Sequence, residues 1–167
     1  MPEPIQNRIG QSLGRAKNFY YRLVLLLGGS GAGKAAALRT VAGELGTDVI
    51  NVNLALSAKL IELTERQRTL HLSALFGRIV EESGTVALLD NIEILFDHGL
   101  RQDPLRLLQS VSRNRCVVAS WNGAVIGSKL TYAESGHPEY RSYEAADALI
   151  VNMNGSSGLD AQEGQRA

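Results

Sequence analysis

Several things are scarce in this chain, and each scarcity excludes a class of protein. There is one cysteine, Cys116, and it stands in an apolar run. No disulfide can form within the chain, and a buried core thiol is expected there. The three histidines, His71, His98 and His137, lie far apart, and no spacing resembles a metal site. Lys+Arg 17 balance Asp+Glu 17, so charge does not advertise nucleic acid, although DNA stays open as a partner. No apolar run approaches the ~18 residues of a membrane span, and the N-terminus has no apolar signal segment. A cytoplasmic protein is expected.

What is present fits one ordinary domain. The 167 residues are 44% hydrophobic and 20% charged, enough for one core and too few for two. Residues 5–22 carry Arg8, Arg15, Lys17 and Arg22 with no acid, so 1–21 reads as a basic arm or a solvated helix leading into the first strand. The domain is expected over 1–153. Residues 154–167 are small and polar and predict a disordered tail.

Strand-like and helix-like segments alternate in between. Apolar runs predict strands at 22–27, 48–53, 85–90, 115–121 and 147–153. Helices are predicted at 34–45, 54–64, 70–82 and from Asp103-Pro104 to about 112, with "TERQRT" (64–69) as a polar break. The stretch 123–146 carries no readable pattern. Alternation of this kind means a mostly parallel sheet covered on both faces, with ligands beyond the carboxyl ends of the strands.

The strongest signal is at such an end. "VLLLGGSGAGKAAALRTVA" (24–42) contains Gly28-x-x-x-x-Gly33-Lys34 after an apolar strand and before a helix, which is the phosphate-binding P-loop in its proper context. Gly28, Gly29, Ser30, Gly31, Ala32 and Gly33 let backbone N–H groups turn inward around an anion. The N–H groups of Lys34, Ala35 and Ala36 open the helix and add its positive end. Lys34 supplies a charge for the β- and γ-phosphates of ATP. Position 35 is Ala, where the motif has the Ser or Thr that ligates Mg²⁺. Binding is therefore expected to survive better than metal-assisted hydrolysis.

"VALLDNIEILF" (86–96) is an apolar strand ending at Asp90, placed to hold Mg²⁺ through water. Many P-loop ATPases put a Glu next, to polarise the attacking water; here Asn91 stands there, and Glu93 is two residues on. "CVVASWNG" (116–123) has the same form, with Ser120 and Asn122 as candidate sensors of the γ-phosphate. The alternative is a plain Asn-Gly turn. A transition-state arginine, often from a neighbouring subunit, has candidates in Arg66, Arg68, Arg141, Arg113 and Arg115, with "ERQR" (65–68) first.

The set resembles the additional-strand P-loop NTPases, the group with AAA+ and RecA-like ATPases. That resemblance implies a three-layer α/β fold with a five-stranded mostly parallel sheet and, in this chain, no helical lid after the core. The order "GGSGAGK", "INVNLALSAKLIELTERQR", "LLDNIEILF", "VVASWNG", "LTYAESGHPEYRSY" is similar to the BrxF family of type III BREX phage-defence systems. The likeness implies an ATPase-like component with other BREX proteins as partners, and Ala35 departs from the superfamily pattern. Three readings follow. One is an oligomerising ATP-binding module, the second a non-hydrolysing nucleotide-dependent scaffold, the third a kinase-type transferase, which would need an acceptor site and a lid.

Overall fold

The computed structural model describes residues 4–29, 31–133, 136–144 and 147–153. Its centre is β1 (Leu23–Leu27), buried at all five positions. Side chains alternate across a strand, so Leu23, Leu25 and Leu27 enter one apolar cluster while Val24 and Leu26 enter another. One strand thus feeds two helical layers, each fully buried Leu or Val contributing roughly 1.5–3 kcal/mol.

The chain begins with α1 (Ile5–Ala16) and, after β1, passes through α2 (Lys34–Leu45), β2 (Val49–Asn51), α3 (Val52–Leu60) and α4 (Glu65–Glu81). Then come β3 (Val86–Asp90), two 3-10 turns at Ile92–Phe96 and His98–Leu100, α5 (Pro104–Val111) and β4 (Cys116–Trp121). Three short strands follow, β5 (Gly123–Ile126), β6 (Lys129–Tyr132) and β7 (Arg141–Tyr143), before β8 (Leu149–Asn152) closes the main sheet. That sheet runs β2-β3-β4-β1-β8, all parallel. The α/β fold is that of a mostly parallel five-stranded sheet. Because β4 lies between the strand of the glycine loop and the strand ending in Asp90, the order is the one expected with an additional strand.

Four details correct the reading from sequence. The basic segment is the helix expected before the first strand, but one face of it is buried: Ile9, Leu13 and Ala16 pack with Leu38 and Val41 of α2 and Leu149 and Val151 of β8. The expected strand 48–53 is shorter, because Asn51 accepts from the Leu54 N–H at 3.1 Å and caps α3. That hydrogen bond satisfies an orphan donor and starts the helix two residues early. "TERQRT" is no break but the start of α4. Thr64 Oγ1 accepts from Gln67 N at 3.2 Å, and Gln67 Oε1 accepts from Thr64 N at 2.9 Å. This reciprocal pair is a capping box, and a polar cluster at a helix start looks like a gap in apolar periodicity.

The fourth detail is the unassigned stretch. It holds a second sheet, β5-β6-β7, antiparallel throughout. Its anchor is aromatic. Tyr132 stacks on Phe96 with the rings 8° from parallel, and Trp121 meets both edge-on. Trp121 Nε1 donates to Thr131 O at 2.9 Å. Gly123 is required here, since a Cβ would fall 1.8 Å from that same carbonyl oxygen.

Candidate functional site

The glycine loop leaves β1 at its carboxyl end. Gly31 and Gly33 have φ of 82° and 94°, a region open to glycine and costly for other residues. Gly33 is the N-cap of α2 and offers no side chain to its first N–H groups, so those donors remain for a ligand. Gly28 is tight for another reason: a Cβ there would meet Ala32 Cβ and Met153 Cγ at 3.1 Å. Ala32 and Ala36 are exposed and Ala35 is half-buried. Ser30 lies outside the described residues.

Lys34 is buried at the start of α2. Its Nζ donates to Gly28 O at 2.7 Å and Gly29 O at 2.8 Å, so the ammonium lies inside the curve of the loop. Burial pushes its pKa below the usual lysine value, against the opposing pull of Asp90 and Glu93. Two carboxylates therefore act on the lysine that would meet phosphate.

Adjacent parallel strands bring those acids in. The pair Leu89↔Ala119 ends the β3–β4 register, and one step further Ser120 Oγ donates to Asp90 Oδ1 at 2.6 Å. Asn91 follows with φ 54° and ψ 54°, exposed to solvent. This left-handed residue takes the chain out of the strand and into the 3-10 turn. The carboxylate that comes back to β4 is Glu93, whose Oε2 accepts from Asn122 Nδ2 at 2.7 Å. Glu93 is thereby tied to the residue that directly follows β4. Tyr132 completes this corner. Burial raises its pKa, Glu93 and Glu139 add to the rise, and a hydrogen bond with Asn122 opposes it.

Two hydrogen-bonded pairs, Ser120–Asp90 and Asn122–Glu93, thus stand at neighbouring strand ends, and both acids act on Lys34; Asn91 is exposed between them in sequence. Magnesium would fit the donors present: one carboxylate, Asp90, suits an ion that keeps waters and takes substrate phosphates as ligands. Ala35 adds no oxygen. Among the described residues, no group of three or more His, Cys, Asp or Glu is arranged to hold a metal alone.

The arginines divide by their partners. Arg68 Nε donates to Leu60 O at 2.9 Å and ties α4 to α3. Arg141 Nη2 reaches Gln102 O at 3.4 Å. Arg113 lies 4.7 Å over the Tyr20 ring, and Arg115 bonds Gly84 O. Arg66 instead lines a shallow surface pocket with Arg101, Thr69 and Leu70. Arg101, with φ 55°, escaped the sequence reading. So did the position of Glu93, although Asn tolerates left-handed backbone and its presence straight after Asp90 was a usable signal.

No protein-family model matches the chain, and no curated protein matches it. Among solved structures, C. elegans PCH-2 is similar over 89% of this chain and 41% of its own, with 16% identity and a TM-score of 0.45. A structure describing katanin self-assembly is similar over 61% and 34%, with 21% identity and a TM-score of 0.35. The chain spans well under half of either. At these scores the likenesses carry no argument; the strand order and loop geometry do. No helix among the described residues is long and apolar enough to cross a membrane.

Proposed function

We propose that this chain is an ATP-binding module of the P-loop NTPase type. The observation that carries the reading is the glycine loop at the end of β1 with the Lys34 ammonium held inside it. A buried ammonium inside a glycine loop is acted on by Asp90 and Glu93 from two strand ends away. Lys34 and the free N–H groups of α2 would hold the β- and γ-phosphates. Asp90, oriented by Ser120, would hold Mg²⁺ through water, and the bound ion would offset phosphate charge. Glu93, held by Asn122, is the carboxylate that can take a proton from an attacking hydroxyl.

The five sequence segments that resemble BrxF support a place in a type III BREX phage-defence system, in the cytoplasm and with other BREX components as partners. Self-association fits the same reading, with Arg66 offered to a neighbour's γ-phosphate. Arg68 and Arg141 each contact a backbone carbonyl, so Arg66 is the first candidate and they remain the alternatives. A second reading is the nucleotide-dependent scaffold, favoured by Ala35, which lacks the metal-ligating hydroxyl. An ATP titration run beside steady-state phosphate release separates the two: both respond in the first case, binding alone in the second.

A further inference from the structure

Beside the loop, on the Asn122 side, β5, β6 and residues that follow β6 wall a pocket of about 870 Å³, within the roughly 300–1,000 Å³ typical of small-molecule sites. Gly29 and Asn122 line it at one end, so it opens onto the glycine loop and onto the residue that holds Glu93. We propose that this pocket is a second-substrate site. It would take an uncharged, ring-bearing alcohol of nucleoside size and present its hydroxyl to the γ-phosphoryl group of ATP. The proposal rests on the nucleotide reading above and gives that site an acceptor.

Three features select the ligand. The walls carry rings: Tyr132, Tyr140 and His137. Tyr132, 3% exposed and held by its stack on Phe96, forms a fixed floor, while Tyr140, 39% exposed, offers ring surface, and a pre-set wall costs little entropy on binding. Ile126, 67% exposed, adds an accessible apolar side chain to the lining. Charge is the third feature. Among the described residues no Lys or Arg lines the pocket, and Glu93 and Glu139 both act on the Tyr132 phenol. This field disfavours a phosphorylated ligand and favours a neutral one.

The chemistry balances. The acceptor oxygen forms a bond to the γ-phosphorus as the bond from phosphorus to the β,γ-bridging oxygen breaks. ADP leaves with that electron pair. The hydroxyl proton passes to the Glu93 carboxylate and then to solvent. The product is a phosphomonoester, and its new negative charge beside Glu93 and Glu139 promotes release.

The test uses the full chain and four probes: adenosine, guanosine, cytidine and uridine. Each is titrated by calorimetry with Mg²⁺ and a non-hydrolysable ATP analogue, then incubated with γ-labelled ATP. At least one should bind with Kd below about 1 mM and acquire the label. Ile126→Asp and Tyr140→Ala should each weaken that nucleoside at least about tenfold and leave ATP affinity unchanged. Three results would overturn the proposal while ATP still binds: no nucleoside binding, binding without label transfer, or equal binding by the variants. Loss of ATP binding itself would overturn the nucleotide reading instead.

Discussion

Replacing Glu93 by Gln isolates the proton acceptor from everything else at the site. The amide is nearly isosteric, so the 2.7 Å contact with Asn122 can persist with its partner atom unchanged. The negative charge beside Lys34 is removed, and with it one of the two influences that raise the lysine pKa. ATP affinity should therefore hold or rise, since repulsion between a carboxylate and the phosphates is relieved. Proton transfer should fail. A positioned general base is worth roughly 10²–10⁴ in rate, or about 3–5 kcal/mol of barrier at 1.36 kcal/mol per decade. Asn91→Ala is the matched control, because Asn91 is an exposed neutral side chain that cannot act as a base. Steady-state phosphate release, with ATP affinity measured on the same samples and the assay repeated in the Ala35→Thr background, reads both quantities. Equal rates for the wild type and Glu93→Gln, or a larger loss in Asn91→Ala, would refute the assignment of Glu93.

Three further outcomes follow from the geometry. Ala35→Thr restores the missing ligand and should raise phosphate release at least about tenfold, but only while Asp90 is intact. An unchanged rate with tight Mg·ATP binding would clear Ala35 of blame. Gly123→Ala forces a Cβ to 1.8 Å from Thr131 O and 2.8 Å from Trp121 Nε1. Such overpacking costs about 3 kcal/mol, so Tm should drop by at least about 6 °C in a chain of this length, and an unshifted melt would contradict the close approach. Arg66→Ala should reduce ATP-dependent growth in size, followed by light scattering at ~50 µM, above the micromolar Kd of weak assemblies. Assembly that persists in Arg66→Ala but fails in Arg68→Ala would transfer the role to the arginine here tied to Leu60.

The sequence was most legible where one signal had one structural meaning. β1 is apolar on both faces and reads as a buried strand; α2 runs from Lys34 to Leu45, capped by Gly46, and reads as a helix with a glycine stop. The convergence of Asp90 with Ser120 follows from parallel strands in register, which a pattern of strand ends anticipates. Legibility failed where local polar chemistry outranked periodicity. Asn51 and Thr64 cap helices through side-chain hydrogen bonds, and both positions had been read as other structure. The 123–146 stretch was opaque because its strands are only three or four residues long and are held by Phe96 and Trp121, neither within the stretch. Glu93 was undervalued because a linear motif assumes the chain continues straight past Asp90. At Asn91 it does not.

The central claim, that a triphosphate binds with Lys34 at its phosphates, is tested most directly by calorimetric titration of Mg·ATP into the wild type and Lys34→Ala. Lys34 is the one charged side chain within the loop, and its ammonium, now on two carbonyls, would turn to phosphate on binding. Wild type should bind with a single site per chain. Lys34→Ala should lose at least about tenfold in affinity, consistent with the roughly 1.5–3 kcal/mol of a charged hydrogen bond, with its melting behaviour otherwise intact. Equal affinity in both proteins, or no binding to the wild type at millimolar ATP, would contradict the account.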